Sequence, residues 1–130
     1  MIPVSPFSER LQTVFSPTER GVIGLVDDLM GLSREHGLRL EFQDNCCTAR
    51  PLESDTREVI DVPLPKSVFR AVVARVAALC NECAPDSVTP YSGDAKLTVG
   101  TNPPSTFQVS FMNTPAEQRL EVQYLGEDWQ

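Results

Sequence analysis

The stretch from Thr56 to Cys83, TREVIDVPLPKSVFRAVVARVAALCNEC, decides the fold. It opens with a short extended run, Val59 to Leu64, in which Ile60, Val62 and Leu64 share one side. Pro63 and Pro65 keep the entry to the next element extended, because a proline ring disfavours the helical region for the residue before it. From Lys66 onward the apolar residues Phe69, Val72, Val73, Val76, Leu79, Cys80 and Cys83 fall on one stripe at helical spacing. Arg70, Arg75 and Glu82 lie off that stripe. Ala71, Ala74, Ala77 and Ala78 add helix propensity and permit close packing. Pro85 ends the helix, which is therefore predicted over Lys66 to Cys83. An amphipathic helix of this kind needs an apolar surface to cover, and the remaining segments supply one.

Upstream, Ser16-Pro17-Thr18-Glu19 reads as a helix start, with Ser16 as cap, Pro17 in the first helical position and Glu19 closing a capping box. Val22, Leu25, Val26, Leu29 and Met30 recur at helical spacing until Gly37, so a helix is expected from Pro17 to His36. Leu38, Leu40 and Phe42 then alternate with Arg39, Glu41 and Gln43 as in a half-buried strand. Asp44-Asn45 offers a tight turn, and Cys46 to Leu52 reads as a returning strand. Downstream, Asp86 to Gly93 is expected to be a loop. Three alternating runs follow: Ala95, Leu97 and Val99; Phe107, Val109 and Phe111; Leu120, Val122 and Tyr124. Short Pro- and Asn-containing turns join them into an antiparallel meander.

Each strand is apolar on one face and each helix on one stripe. The simplest way to bury both is an α+β two-layer sandwich, with two helices packed on one face of a mostly antiparallel sheet. The other face should then carry Arg39, Glu41, Lys96, Thr98, Gln108, Ser110, Glu121 and Gln123. The chain divides into an N-terminal arm (1–15), where Leu11, Val14 and Phe15 are able to dock, a single α+β domain (16–126) and a C-terminal tail (127–130).

The 130 residues are 41% hydrophobic and 22% charged, an ordinary globular balance that suits one domain. The formal net charge of -7 argues against nucleic acid and anionic membranes as partners and favours a basic protein surface. No apolar run approaches the roughly 20 residues of a membrane span. Met1 to Ser8 lacks the basic region of a signal peptide. A cytoplasmic location is expected, with the four cysteines as reduced thiols.

No phosphate-cradling glycine motif and no nucleophile–base pair stands out, so no catalytic residue and no cofactor is expected. Cys80-Asn81-Glu82-Cys83 is a C-x-x-C and Cys46-Cys47 a vicinal pair. A small zinc module using Cys46 or Cys47 with Cys80, Cys83 and His36 is the alternative reading. Against it, Cys80 and Cys83 lie on a helix stripe, and neighbouring strand residues such as Cys46 and Cys47 point to opposite faces. Buried free cysteine behaves as a small hydrophobe, and core packing is the expected role of these thiols. His36, beside Gly37, is expected to meet the last helix carbonyls. Asp27, Asp28, Glu53 and Asp55 read as solvated acids. Arg39, Glu41, Gln108 and Glu121 on the wet face are candidates for binding a protein partner. Trp129 joins them, since exposed tryptophan is favoured at contacts.

The order helix, three strands, helix, three strands resembles the second N-terminal subdomain of the ATPases that drive type II secretion and type IV pilus assembly. Leu38 to Phe42, Arg57 to Ala78 through Pro63-Leu64-Pro65, and Ser92 to Val122 carry the resemblance, which spans residues 17 to 126 or so. Glu53-Ser54-Asp55 stands where that family has an acidic-glycine turn, and Gln108 replaces one of its basic residues. The sequence given stops at Gln130, where the nucleotide-binding domain would begin. The resemblance thus implies a docking or regulatory domain without ATP hydrolysis, whose partner is a motor ATPase or a second copy of itself.

Overall fold

The computed structural model describes Phe7, Glu9, Leu11 and residues 21–52, 59–99 and 104–127. Its elements are α1 (Val22–His36), β1 (Leu38–Gln43), β2 (Cys46–Arg50), β3 (Ile60–Val62), α2 (Lys66–Cys83), β4 (Ser92–Val99), β5 (Ser105–Asn113) and β6 (Gln118–Glu127). The six strands form one sheet in the order β3-β2-β1-β6-β5-β4, and every neighbouring pair is antiparallel. Both helices pack on one face, giving the α+β sandwich that the alternation implies.

The register shows why one face is apolar. Leu38 stands opposite Val122 and Leu40 opposite Leu120 across β1 and β6. Val109 stands opposite Val122 and Phe111 opposite Leu120 across β5 and β6. Ala95 and Leu97 of β4 continue the same rows against Val109 and Phe107. Helix α2 lays Phe69, Val72, Val73, Val76, Ala77 and Cys80 onto this surface. Phe69, Val76, Leu97, Val109 and Val122 belong to one continuous core. Phe7 and Leu11, from the N-terminal arm, are buried in it as well. The arm's Val14 and Phe15, the helix-start residues Ser16 to Glu19, the acids Glu53 and Asp55, and Trp129 lie outside the described residues.

Several boundaries differ from expectation. Gly21 is extended (φ -82°, ψ -174°), and α1 begins at Val22, not Pro17. Glycine loses most backbone freedom in a helix and is a natural place for one to start. At the other end the expected stop holds: Gly37 takes a positive φ of 67° and its N–H bonds Ser33 O at 2.9 Å. The β1–β2 turn places Asp44 and Asn45 at φ 53° and 62°, the left-handed pair that a two-residue hairpin needs. Strand β2 stops at Arg50 and β3 is confined to three residues, because the following prolines cannot donate to a ladder. In contrast, β4 to β6 are longer than their alternating cores. Ser92 and Gly93, expected in a loop, belong to β4.

Gly93 makes that early start possible. A Cβ there would lie 2.3 Å from Val88 Cγ1, so the loop after α2 closes over a strand position with no side chain. Gly93→Ala is expected to cost about 1–3 kcal/mol by overpacking, part of which Val88→Ala in the same chain restores. For comparison, Phe69→Ala, which empties the centre of the core, is expected to cost about 3–5 kcal/mol. Urea unfolding monitored by circular dichroism measures both.

Candidate interaction face

Because side chains alternate along each strand, the face turned away from the helices is fixed by the same register. One row across it reads Arg50, Arg39, Glu121, Ser110, Asp94. The next reads Asp61, Thr48, Glu41, Arg119, Met112, Ser92, and another Gln123, Gln108, Lys96. Among the described residues no element covers this face. All eight residues expected on it from sequence are there.

The polar side chains are ordered by one another. Arg39 Nη1 donates to Glu121 Oε1 across β1 and β6, and Arg39 Nη2 reaches Glu41 Oε2 at 3.5 Å. Gln43 Nε2 donates to the other Glu41 oxygen at 3.0 Å. Arg39, Glu41 and Glu121 are consequently only 23–28% exposed in their side chains, although no second layer of the described residues lies over them. Two strands away, Gln108 Nε2 donates to Asp94 Oδ1. The structure therefore brings three of the proposed partner-binding residues, Arg39, Glu41 and Glu121, into direct contact. Gln108 lies on the same face in a separate pair with Asp94. Sequence reasoning missed Asp94, whose face is unreadable until β4 is known to begin before it. A single exposed ion pair contributes little, about 0.2–1 kcal/mol, so this network organises the surface more than it stabilises the fold.

The cysteines separate by environment. Cys47 and Cys80 are buried in the core, as expected. Cys46 is half-buried and Cys83 exposed, which corrects the expectation of core packing for these two. Cys46 sits on the open face with its alternation partner Thr48, and Cys83 is the last residue of α2, where the stripe runs beyond the sheet. Its Sγ lies 3.6 Å from Thr98 O at the β4 edge. Burial pushes the Cys47 thiol up to about 12, with neighbouring Cys46 adding to it, and pushes Cys80 up to about 11. Cys46 is also raised, by partial loss of water and then by Asp61. Such thiols hold their protons at neutral pH, whereas zinc is bound by thiolate. Among the described residues no three of His, Cys, Asp and Glu come together in a way that holds a metal ion, and Cys47, Cys80, Cys83 and His36 do not form a site. The His36 ring meets Phe7 edge-on at 5.6 Å, and its backbone carbonyl accepts from Leu52 N–H.

A wide-mouthed cleft of about 500 Å³ lies at one end of the sheet, lined by Phe42, Asp44, Asn45, Lys66, Pro115 and Gln118 among others. It holds one carboxylate and one ammonium, with no base beside a nucleophile. No helix of the described residues is long and apolar enough to cross a membrane. No family model matches the chain, and no curated protein does either.

The raised thiols set an alkaline limit. In the unfolded chain a thiol ionises near 9.0, while in the folded protein Cys80 and Cys47 do so near 11 and 12. Their contribution is fully present below about pH 9 and is lost as pH rises through those higher values. The urea midpoint should fall across that window, and less steeply in Cys47→Ala. In the folded protein at neutral pH, a disulfide reagent should label Cys83 first and reach Cys47 and Cys80 only on unfolding.

Proposed function

We propose that this chain is a non-catalytic docking or regulatory domain that presents the open face of its sheet to a protein partner in the cytoplasm. The observation that carries the reading is the outer face, which none of the described elements covers, with Arg39, Glu41 and Glu121 held by each other across adjacent strands. Side chains that are already ordered lose little freedom when a partner arrives. Fixed charges of both signs select register and partner more than they raise affinity. The resemblance in element order to the N-terminal domains of secretion and pilus motors supports a motor ATPase as that partner. The net charge of -7 favours a basic surface on it.

The test is calorimetric titration against a purified motor ATPase of that family whose own N-terminal domain has been removed. Binding is expected, weakened roughly tenfold or more by Arg39→Glu, since charge pairs at a docked face couple by 1.4 kcal/mol or more. The charge swap Arg39→Glu with Glu121→Arg should keep the fold, because it preserves the internal pair. Absence of binding, or binding indifferent to Arg39→Glu, would overturn the reading.

A further inference from the structure

The sheet ends on β4, and the edge of that strand is chemically self-complementary. Asn113 N–H bonds Tyr91 O, which fixes the phase of the β4–β5 ladder. In an antiparallel pair, alternate residues turn their amides toward the partner strand and the others away from it. Tyr91, Gly93, Ala95 and Leu97 therefore bond toward β5, and Ser92, Asp94, Lys96 and Thr98 turn their N–H and C=O groups outward.

The two ends of this outward row are already engaged. Ser92 O accepts from Thr89 N–H at 3.1 Å, and Ser92 N–H donates to Thr89 Oγ1 at 3.0 Å. Thr98 O receives the Cys83 thiol. In the middle, Asp94 and Lys96 each offer one outward N–H and one outward C=O. Their side chains are exposed on the open face. Lys96 meets no carboxylate among the described residues.

We infer that two copies of this chain pair through β4, antiparallel about a two-fold axis at Ala95, and extend the sheet across both. In that register Asp94 of one protomer stands opposite Lys96 of its partner, and Lys96 opposite Asp94. The four outward backbone groups of each protomer's Asp94 and Lys96 are then satisfied mutually, and both ion pairs join opposite charges. Ala95 meets Ala95, the smallest contact available at the axis, and Leu97 lies across from Gly93. The neighbouring registers fail. An axis at Asp94 sets two carboxylates face to face, and an axis at Lys96 sets two ammoniums face to face; like charges directly opposite are destabilising. A shift by one residue presents the inward-bonded amides of Ala95 and joins the wrong faces. Lysine on an edge strand ordinarily repels strand addition. Here the alternation with Asp94 makes one partner acceptable, the same strand inverted. The pairing leaves Arg39, Glu41 and Glu121 free, so it does not depend on the docking reading above.

An edge contact of this size is small, so the dimer should be weak and form only at high protein concentration. Sedimentation equilibrium on the full chain is expected to show it. Lys96→Glu, which faces Asp94 with a second carboxylate twice over, should weaken the dimer roughly tenfold or more. The swap Asp94→Lys with Lys96→Asp should restore it. Lys96→Pro should abolish it while leaving the unfolding midpoint of the monomer nearly unchanged, since a proline whose missing N–H faces outward is tolerated on an edge strand. At a non-hydrogen-bonded pair the Cα atoms are about 4.5 Å apart, within disulfide range. In a Cys46→Ser, Cys83→Ser background, Ala95→Cys should therefore cross-link on mild oxidation and Asp94→Cys should not. A chain that stays monomeric to about 1 mM, or a dimer unmoved by Lys96→Glu and uncross-linked through Ala95→Cys, would overturn the inference.

Discussion

The burial of the α2 stripe against the inner rows of the sheet is the constraint on which the rest of the molecule depends. Phe69, Val72, Val73, Val76 and Cys80 are buried almost completely, covered by helix α1 and the inner face of β4, β5 and β6, with Phe42 of β1 beside Phe69. Burying such side chains is the main favourable term, each contributing about 1.5–3 kcal/mol. The term is collected only if β4, β5 and β6 keep their phase, with α1 beside α2 resting in turn on β6 and β1, because a slip of one residue would turn the apolar row to the wrong side. The helix thus acts as a check on register. Strand alternation, the hairpin at Asp44 and Asn45, and the glycine at position 93 are all conditions for a continuous surface beneath it.

That division of labour leaves the outer face at liberty to be polar. Nothing in the core depends on Arg39, Glu41 or Glu121, which sit with their side chains on the far side of the same strands. Their mutual contacts follow from the β1–β6 pairing alone, which places Arg39 directly opposite Glu121. Packing and recognition are therefore carried by alternate residues of the same strands, and a change in one set need not disturb the other.

The local elements were largely legible in the sequence, because local periodicity governs them. The bounds of α2 match the stripe and the proline punctuation, the strand phases match the alternation, and the Asp44-Asn45 turn has the left-handed geometry its residues favour. What sequence left unread is non-local or depends on a neighbour. The start of α1 was set at Gly21 and not at the capping residues before it. Cys83 has the spacing of a core residue, but helix and sheet do not end at the same place, and that mismatch is a fact about tertiary packing. The candidate face was legible as a set of residues. Which of them touch was not, since that requires knowing that the first strand lies beside the last. Asp94 went unnoticed for the same reason: its importance lies in where the sheet stops.

The β1–β6 pairing also has a temporal meaning. Arg39 and Glu121 bond across the centre of the sheet although 82 positions separate them along the chain. During synthesis the opening strand leaves the ribosome long before its neighbour exists. Until the closing strand arrives, one flank of β1 has no partner and helix α1 lacks the strand it chiefly rests on. Contacts of such long sequence separation slow folding and lengthen the exposure of sticky surface. For this protein the vulnerable interval ends only when β6 slots into the middle of the layer, which makes that strand the latch of the described fold.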